Sequence, residues 1–444
     1  MKLNKLSYIA AALLALTAAT SCKSEIDDIF DKSAAERIED AISDYTKVLT
    51  SAPNGWVMQY FATDEEKGYI YYMNFKADGS VVIAGDNEWI GNTYKEETSV
   101  FQVIGDDGPV LTFNSYNTLF HLFADPNDVP EWGGGVLGEG HKGDYEFRVM
   151  GYDEATQTMT LRGKKRNIEI LLTQLPAGVD PEQYFADLKE KRPAVLDERV
   201  TLLYLTTPKH EYIVYDMASC EIGYFPVDGD EIADIQYATF VFNGDGIRFA
   251  TPLELDGATV QNFKLNSAGI LECVDKDQTA TLSPGKLYDV FTSVNYAWQM
   301  DSQSLTGSVA DAYQAVVDES KAKTGGFGQN FRYFLFDIFV DADGVVHPAL
   351  SFRNGNATGH FYLDKNEAGD NGVKFAFTGS GDAVALRYME LENGPTFTTK
   401  AYQDFIALLT AGEWTITANS AMAPTELTFV NKNNTADTFK VVLQ

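Results

Sequence analysis

Aromatic rings set among glycines and side-chain amides are the residues of this chain best suited to chemistry, and that chemistry is binding. The stretch Asp125-Pro126-Asn127-Asp128-Val129-Pro130-Glu131-Trp132-Gly133-Gly134-Gly135 runs on to Gly140-His141-Lys142-Gly143 without helical or strand periodicity. Long irregular loops often carry function. Glycines leave the Trp132 indole little to pack against, and an exposed indole is a flat apolar face on which a sugar ring stacks. The competing readings fold this loop back onto its own domain or leave it a disordered flap. Trp89 and Tyr94, in Asn87-Glu88-Trp89-Ile90-Gly91-Asn92-Thr93-Tyr94, form a second aromatic and amide cluster to which the same ligand reading applies. Trp132, Trp89, Tyr94 and His141 are therefore the candidate ligand-binding residues. Trp56 and Trp414 stand where a helix hands over to a strand and are expected in the core, while Trp298 fits either role.

Signals for catalysis are absent from the sequence. There is no Gly-x-Ser-x-Gly elbow, no dinucleotide fingerprint and no phosphate loop. The five histidines, His121, His141, His210, His347 and His360, include neither a His-Glu-x-x-His arrangement nor a close pair. Two carboxylates at glycosidase separation could be drawn from 64 acids in many ways, so that pattern selects nothing. No catalytic residue is assigned. For a metal, Asp341-Ala342-Asp343-Gly344 and Asp125 with Asp128 supply the hard oxygens Ca²⁺ requires, but the first lacks the remainder of a twelve-residue calcium loop. No metal site or cofactor is assigned; Ca²⁺ is the one cation left open.

These residues need a scaffold, and the periodicity describes a β-rich one. Ser33 with Glu36 reads as a capping box, and Ile38, Ala41, Ile42, Tyr45, Val48 and Leu49 recur at helical spacing until Pro53-Asn54-Gly55. Strands follow, among them Trp56–Tyr60, Tyr69–Lys76, Ser80–Ala84, Phe101–Ile104, Val110–Asn114, Leu119–Phe123, Tyr145–Tyr152, Thr158–Gly163 and Asn167–Leu175. Pro176 to Pro181 is the clearest boundary. Beyond it come strands such as Tyr237–Phe242, Phe331–Val340, Val345–Phe352 and Ala383–Glu390, with helices near 182–190, from Ser308, and from Thr399 to Leu409. The expected class is mainly β (α+β): antiparallel barrel-like or sandwich sheets with a few flanking helices, in at least two domains. The expected division is a leader over 1–21, an acidic tether over 22–32, a helix plus barrel-like sheet over 33–176, and a second β-rich region over 177–444, divisible near 305. Asp44-Tyr45 to Leu49-Thr50 before Gly55-Trp56 echoes Asp404-Phe405 to Leu409-Thr410 before Trp414. Either a helix-plus-sheet unit is duplicated, or two helices hand over to strands in the same way.

The front of the chain sets its address. Lys2 and Lys5 precede an apolar run from Tyr8 to Ala19, too short to span a bilayer, which ends in Thr20-Ser21-Cys22. Ala19-Thr20-Ser21-Cys22 resembles a bacterial lipobox, in which the cysteine thiol is lipidated and becomes the first residue of the mature chain. The alternative is an ordinary cleaved secretory signal. Residues 23–32, Lys-Ser-Glu-Ile-Asp-Asp-Ile-Phe-Asp-Lys, resemble the acidic export signal of lipoproteins on the outer face of the Bacteroidetes outer membrane; a plain solvated linker is the other reading. The formal charge is −30, becoming −32 once Lys2 and Lys5 leave with the leader, which disfavours nucleic acid or anionic lipid as a partner. With Cys22 lipidated, Cys220 and Cys273 could pair across a loop of roughly fifty residues, worth ~2–4 kcal/mol, or stay separately buried.

From Ser33 the chain resembles the DUF4302 family of Bacteroidetes lipoproteins. The likeness lies in Ser33-Ala34-Ala35-Glu36-Arg37-Ile38, Leu49-Thr50-Ser51-Ala52-Pro53-Asn54-Gly55-Trp56, Gly108-Pro109-Val110-Leu111-Thr112-Phe113-Asn114, Gly143-Asp144-Tyr145-Glu146-Phe147 and Leu161-Arg162-Gly163-Lys164-Lys165. It is expected to extend to the C-terminus, more distinctly in the first half. The family assigns no catalytic residue. The resemblance implies an accessory of surface loci encoding SusC/SusD-type uptake pairs, so the expected function is non-catalytic capture of a glycan or peptide at the cell surface. A structural or adhesive role and a glycan hydrolase are the alternatives. Capture calls for exposed aromatics lining a groove, and hydrolysis for two carboxylates facing across a cleft.

Overall fold

A computed structural model describes residues 32–126, 138, 140–322, 330–369, 371–382, 384–385 and 400–444. The leader, Cys22, nearly all of the tether, Asp128 and Trp132 lie outside the described residues. Helix α1 (Ala34–Ser51) begins as its sequence dictates: Ser33 Oγ accepts the Glu36 amide at 3.3 Å, and Glu36 Oε2 accepts the Ser33 amide at 2.9 Å. Each bond satisfies a donor the first helical turn leaves open.

The first sheet holds nine antiparallel strands: β1 (Trp56–Tyr60), β2 (Tyr69–Phe75), β3 (Ser80–Gly85), β4 (Lys95–Val100), β5 (Gln102–Asp106), β6 (Gly108–Thr112), β7 (Glu146–Asp153), β8 (Thr158–Gly163) and β9 (Glu169–Gln174). Their order is β4-β3-β2-β1-β9-β8-β7-β6-β5. The two ends of the sheet, β4 and β5, are one run of chain broken only by Phe101. Its amide donates to Gly79 O at 3.0 Å, and its buried ring meets Phe75 with centroids 4.7 Å apart. The sheet therefore curls until a chain corner joins its edges, and α1 packs on β5, β6 and β2. One expectation needs correction here, and one strand escaped the sequence pattern. Leu119–Phe123 is not a strand: His121–Phe123 is a 3-10 turn, held because His121 Nδ1 accepts the Asn117 amide at 3.1 Å while Nε2 donates to Phe113 O at 3.1 Å. Strand β4, Lys-Glu-Glu-Thr-Ser-Val, is mostly exposed and too polar for a pattern of alternating apolar residues to reveal.

The middle barrel is closed: β10 (Leu202–Thr206), β11 (Glu211–Tyr215), β12 (Glu221–Pro226), β13 (Gln236–Phe242), β14 (Gly246–Leu255), β15 (Ala258–Leu265), β16 (Leu271–Cys273) and β17 (Thr281–Ser283), with β17 pairing back to β10. Closure leaves no edge open to another chain. Helix α2 (Pro181–Lys191) joins it to the first sheet, and α3 (Glu231–Asp234) is a single turn within it. The Gly68 amide donates to Phe240 O at 3.0 Å, and Thr239 Oγ1 donates to Asp64 O at 3.0 Å, fastening barrel to sheet. Cys220 and Cys273 both sit in this barrel as separate buried thiols. Burial pushes the Cys273 thiol up to about 11.

The C-terminal barrel is also closed: β18 (Trp298–Met300), β19 (Phe331–Val340), β20 (Val346–Asn354), β21 (Ala357–Glu367), β22 (Gly372–Ser380), β23 (Glu413–Ala418), β24 (Glu426–Asn431) and β25 (Thr438–Leu443). Passage between the two barrels falls between Ser283 and Trp298, ahead of residue 305. Helices α4 (Leu287–Thr292), α5 (Gly307–Ala322) and α6 (Lys400–Ala411) flank it. Of the strand expected over Ala383–Glu390, Val384 and Ala385 are helical and the rest lies outside the described residues.

The sequence echo has a physical counterpart. Trp56 Nε1 donates to Leu49 O and Trp414 Nε1 to Leu409 O, each at 2.9 Å, and both indoles are fully buried. Thr50 and Thr410 each bond back one helical turn, to Thr46 O at 2.8 Å and Ile406 O at 2.9 Å. The indole satisfies a carbonyl the helix end leaves open while its ring fills the core beneath. Trp298 is core as well.

The amine of Lys365 on β21 stands 4.8 Å over the Phe291 ring of α4. Burial brings it down to about 8 from its ordinary value of 10.5, against an opposing pull from Asp337. Between those values the unfolded chain holds a proton the folded one has released, so this group's contribution to stability rises with pH across that window. Lys365→Met should melt above the wild type at pH 7, the gap closing toward pH 10. Thermal melts at matched pH check this, and a gap constant with pH would refute it.

Candidate functional site

Of the residues the sequence singled out, the structure brings Trp89 and His141 together and sets Tyr94 apart, while Trp132 lies outside the described residues. Trp89 lies in a 3-10 turn, Glu88–Ile90, whose cap Asn87 accepts the Trp89 amide at 3.1 Å. Its indole donates to the Tyr69 hydroxyl at 2.6 Å and meets the His141 ring edge-on, centroids 4.7 Å apart. His141 is wholly buried, with Nδ1 2.9 Å from Glu66 Oε2. Lys67 pairs with Glu88 at 2.7 Å beside them. Trp89 is thus spent in a partly buried polar knot, whose His141 ring meets Phe123 edge-on. Tyr94 belongs to a different cluster: its ring packs 5.6 Å from Phe185 of α2, and its hydroxyl donates to the Glu96 carboxylate. Tyr94 thus seats a helix on the sheet.

The proposed calcium loop is a turn stabilised from within. Asp341 Oδ1 accepts the amides of Asp343 at 3.0 Å and Val345 at 2.9 Å, and Oδ2 lies 2.8 Å from His347 Nε2. Hydrogen bonds, the one with His347 foremost, hold this carboxyl below its usual range. Among the described residues no group of three His, Cys, Asp or Glu side chains is placed to hold an ion.

One Ser, His and Asp set does converge, across β19, β20 and β21. Ser351 Oγ donates to Asp337 Oδ1 at 2.6 Å and lies 2.6 Å from His360 Nδ1. A hydroxyl has one proton; with that proton given to Asp337, His360 must donate to Oγ. A nucleophilic serine needs the reverse, an imidazole that accepts its proton. Ser351 is buried as well, so the row is structural.

A concavity of about 960 Å³ lies between residues 192–201 and the outer face of β12 and β13, with the turn that precedes β12. Those ten residues form a strap braced by an internal ion pair and anchored in two cores. Arg199 Nε and Nη2 grip Asp197 at 2.9 and 2.8 Å, Val195 and Leu196 enter the core of the middle barrel, and Val200 enters that of the C-terminal barrel. Opposite, Asp216 and Cys220 hold positive φ of 61° and 62° at the ends of the Met217–Ser219 turn, a conformation uncommon for residues with a side chain. Arg192 Nη2 donates to Ala218 O at 2.7 Å within that turn and lies 3.2 Å from Cys220 Sγ. Across β12 and β13, Gly223 pairs with Tyr237, so the Tyr237 ring leans over a residue with no side chain and is 68% exposed.

These groups suit binding. Arg192 and Arg199 bring donors, Glu198, Asp216 and Glu221 bring acceptors, Thr201 and Ser219 bring hydroxyls, and Tyr237 presents an apolar face. Asp197 is held below the usual carboxylate range by Arg199, the opposite of what a general acid needs. Sequence reasoning missed this site, although a signal was present. Phe240 and Phe242 face the barrel interior, so alternation turns Tyr237, Thr239 and Val241 outward. The first sheet covers Val241, and among the described residues nothing comparable covers Tyr237.

The family described as a domain of unknown function, DUF4302, matches residues 26–267, more than half the chain. The match ends between β15 and β16, so it spans the strap cleft and stops short of the C-terminus that the sequence reading expected it to reach. No curated protein matches the chain. Among solved structures, the β subunit of DNA polymerase from Streptococcus pyogenes is 10% identical, with 90% of this chain and 97% of that chain covered and a TM-score of 0.13. The DNA polymerase sliding clamp from Pseudomonas aeruginosa with ligand gives 10% identity, 91% and 97% coverage and a TM-score of 0.11. The H. pylori β clamp in complex with 5-chloroisatin gives 9%, 92% and 97%, and 0.11. At such scores the likeness carries no argument.

Proposed function

The chain belongs to the DUF4302 family, and from that premise we propose that it is a lipoprotein moored through Cys22 on the outer face of the outer membrane, where it captures a glycan for a SusC/SusD-type uptake pair. The single observation that carries glycan capture is Tyr237, a ring exposed in a concavity of about 960 Å³ and bordered by charged and hydroxyl side chains. A sugar presents a C–H face for such a ring and hydroxyls that both donate and accept. The address rests on Ala19-Thr20-Ser21-Cys22 and the acidic run from Glu25 to Asp31. A charge of −32 without the leader, −30 less Lys2 and Lys5, keeps such a body soluble beside an anionic membrane and off it.

Calorimetric titration of glycan and peptide panels into soluble protein starting at Lys23 tests the reading. A glycan should bind saturably, and Tyr237→Ala should weaken it about tenfold, ~1.4 kcal/mol. Turnover of the glycan, or equal affinity in the variant, would overturn capture at this cleft. Mass spectrometry of the cellular protein should find a lipidated Cys22 at the N-terminus; an intact leader without lipid would remove the address.

A further inference from the structure

We propose that the cleft between the first sheet and the middle barrel is a second binding site, for an uncharged saccharide. It does not rest on the Tyr237 reading, because no residue is shared with the strap cleft. Its volume is about 490 Å³, and it sits at the junction of two modules, where ligand sites are common. Gln59 of β1 and Thr158 and Thr173 of β8 and β9 line one wall, Asn243 and Asn262 the other, and Tyr184 of α2 supplies a ring.

Two of these side chains are unspent. Gln59 Oε1 and Asn243 Oδ1 are buried with no hydrogen-bond partner, and Arg248 Nε, on the barrel face joined to the first sheet, is in the same condition. A buried polar atom without a partner costs roughly 1–3 kcal/mol, and folded proteins keep few of them. Both residues border the cleft but hold these oxygens shielded from solvent, so a ligand that brings N–H or O–H groups must draw the two amides round to face it.

The charges of the cleft, by contrast, are already matched. Lys264 lies 3.1 Å from Asp245. Asp275 accepts the Asn262 amide at 2.9 Å and its side chain at 2.6 Å, and these bonds with that from Gln261 outweigh burial and hold it below its usual range. An anionic ligand would therefore meet Asp245 and Asp275 without a free cation. Burial, aided by Asp245, pushes the Tyr184 phenol up to about 12, so it stays a neutral donor. What remains is a neutral surface of amides, hydroxyls and one ring, which fits a sugar without carboxylate or sulfate.

The test is titration calorimetry on the chain from Lys23 carrying Tyr237→Ala, so that the strap cleft is out of play. The probes are cellohexaose, maltohexaose and hexa-N-acetylchitohexaose, with oligogalacturonate of the same length as the charged control. At least one neutral probe should bind, oligogalacturonate should not, and adding Gln59→Leu with Asn243→Leu should weaken the neutral probe at least tenfold. Neither change should lower the melting temperature, since each removes an unpaired buried oxygen. Should the double variant fold poorly, Thr173→Val alone should still weaken binding severalfold. Absence of binding by every neutral probe, or binding that these substitutions leave unchanged, overturns the second site. If instead all saccharide binding is lost with Tyr237→Ala, the strap cleft stands and this one falls.

Discussion

Glu169→Ala should destabilise the protein by ~3 kcal/mol in chemical denaturation, while Arg248→Met should cost ~1 kcal/mol or less. The asymmetry follows from where the two charges sit. Arg248, on β14, is 1% exposed and buried against the first sheet. Its Nη2 donates to Glu169 Oε1 at 2.9 Å, and Nη1 and Nη2 reach Glu169 O at 3.2 and 3.3 Å. The guanidinium also lies 5.7 Å over the Phe61 ring. Burial pulls this group below its ordinary range, and the Glu169 carboxylate is the main influence holding it charged. Glu169, one-third exposed, can return to water when its partner leaves; Arg248 cannot. Removing the carboxylate strands a buried cation, whereas methionine replaces that cation with an apolar chain of similar length. The double variant should match Arg248→Met, because the strain in Glu169→Ala exists only while the guanidinium is present. Equal costs for the two single variants would show that the pair itself, and not the stranded charge, supplies the stability.

Gly246→Ala should be the most damaging methyl addition in the middle barrel, at about 3 kcal/mol. A Cβ there would lie 1.9 Å from Phe263 O and 2.9 Å from Lys264 Cα. Both atoms belong to the backbone of β15, which pairs with β14 through Gly246 and Lys264, so no rotamer change relieves the clash. Relief requires the strands to part, at the end of the pair that carries Asn243 and Lys264 into the interdomain cleft. The variant should therefore lose saccharide binding there along with stability. Gly151→Ala is the matched control: its Cβ would meet nothing within 4 Å, and its melting temperature should stay near wild type. Urea or thermal melts of the two variants side by side decide the matter; equal stability would mean the barrel yields at Gly246.

Local chemistry was legible in the sequence wherever cause and effect lie within a few residues. The Ser33 and Glu36 capping box and the β-rich class each depend on near neighbours, and the fold contains them. The Trp56 and Trp414 echo was legible for the same reason, since each indole bonds a carbonyl only a few residues upstream. What only the tertiary structure decided is which outward face becomes covered. Alternation turns Tyr237 and Val241 to the same side of β13, but the first sheet arrives from nearly two hundred residues away to bury one and leave the other bare. Trp89 turned inward for a similar reason, because its partners Tyr69 and His141 come from distant segments that meet only when the sheet curls. Closure of β10 on β17, the strap's anchorage in two barrels and the unpaired oxygens of Gln59 and Asn243 likewise arise from surfaces that meet across long loops. Period-two spacing tells which residues share a face, and only the packing of whole modules determines what that face meets.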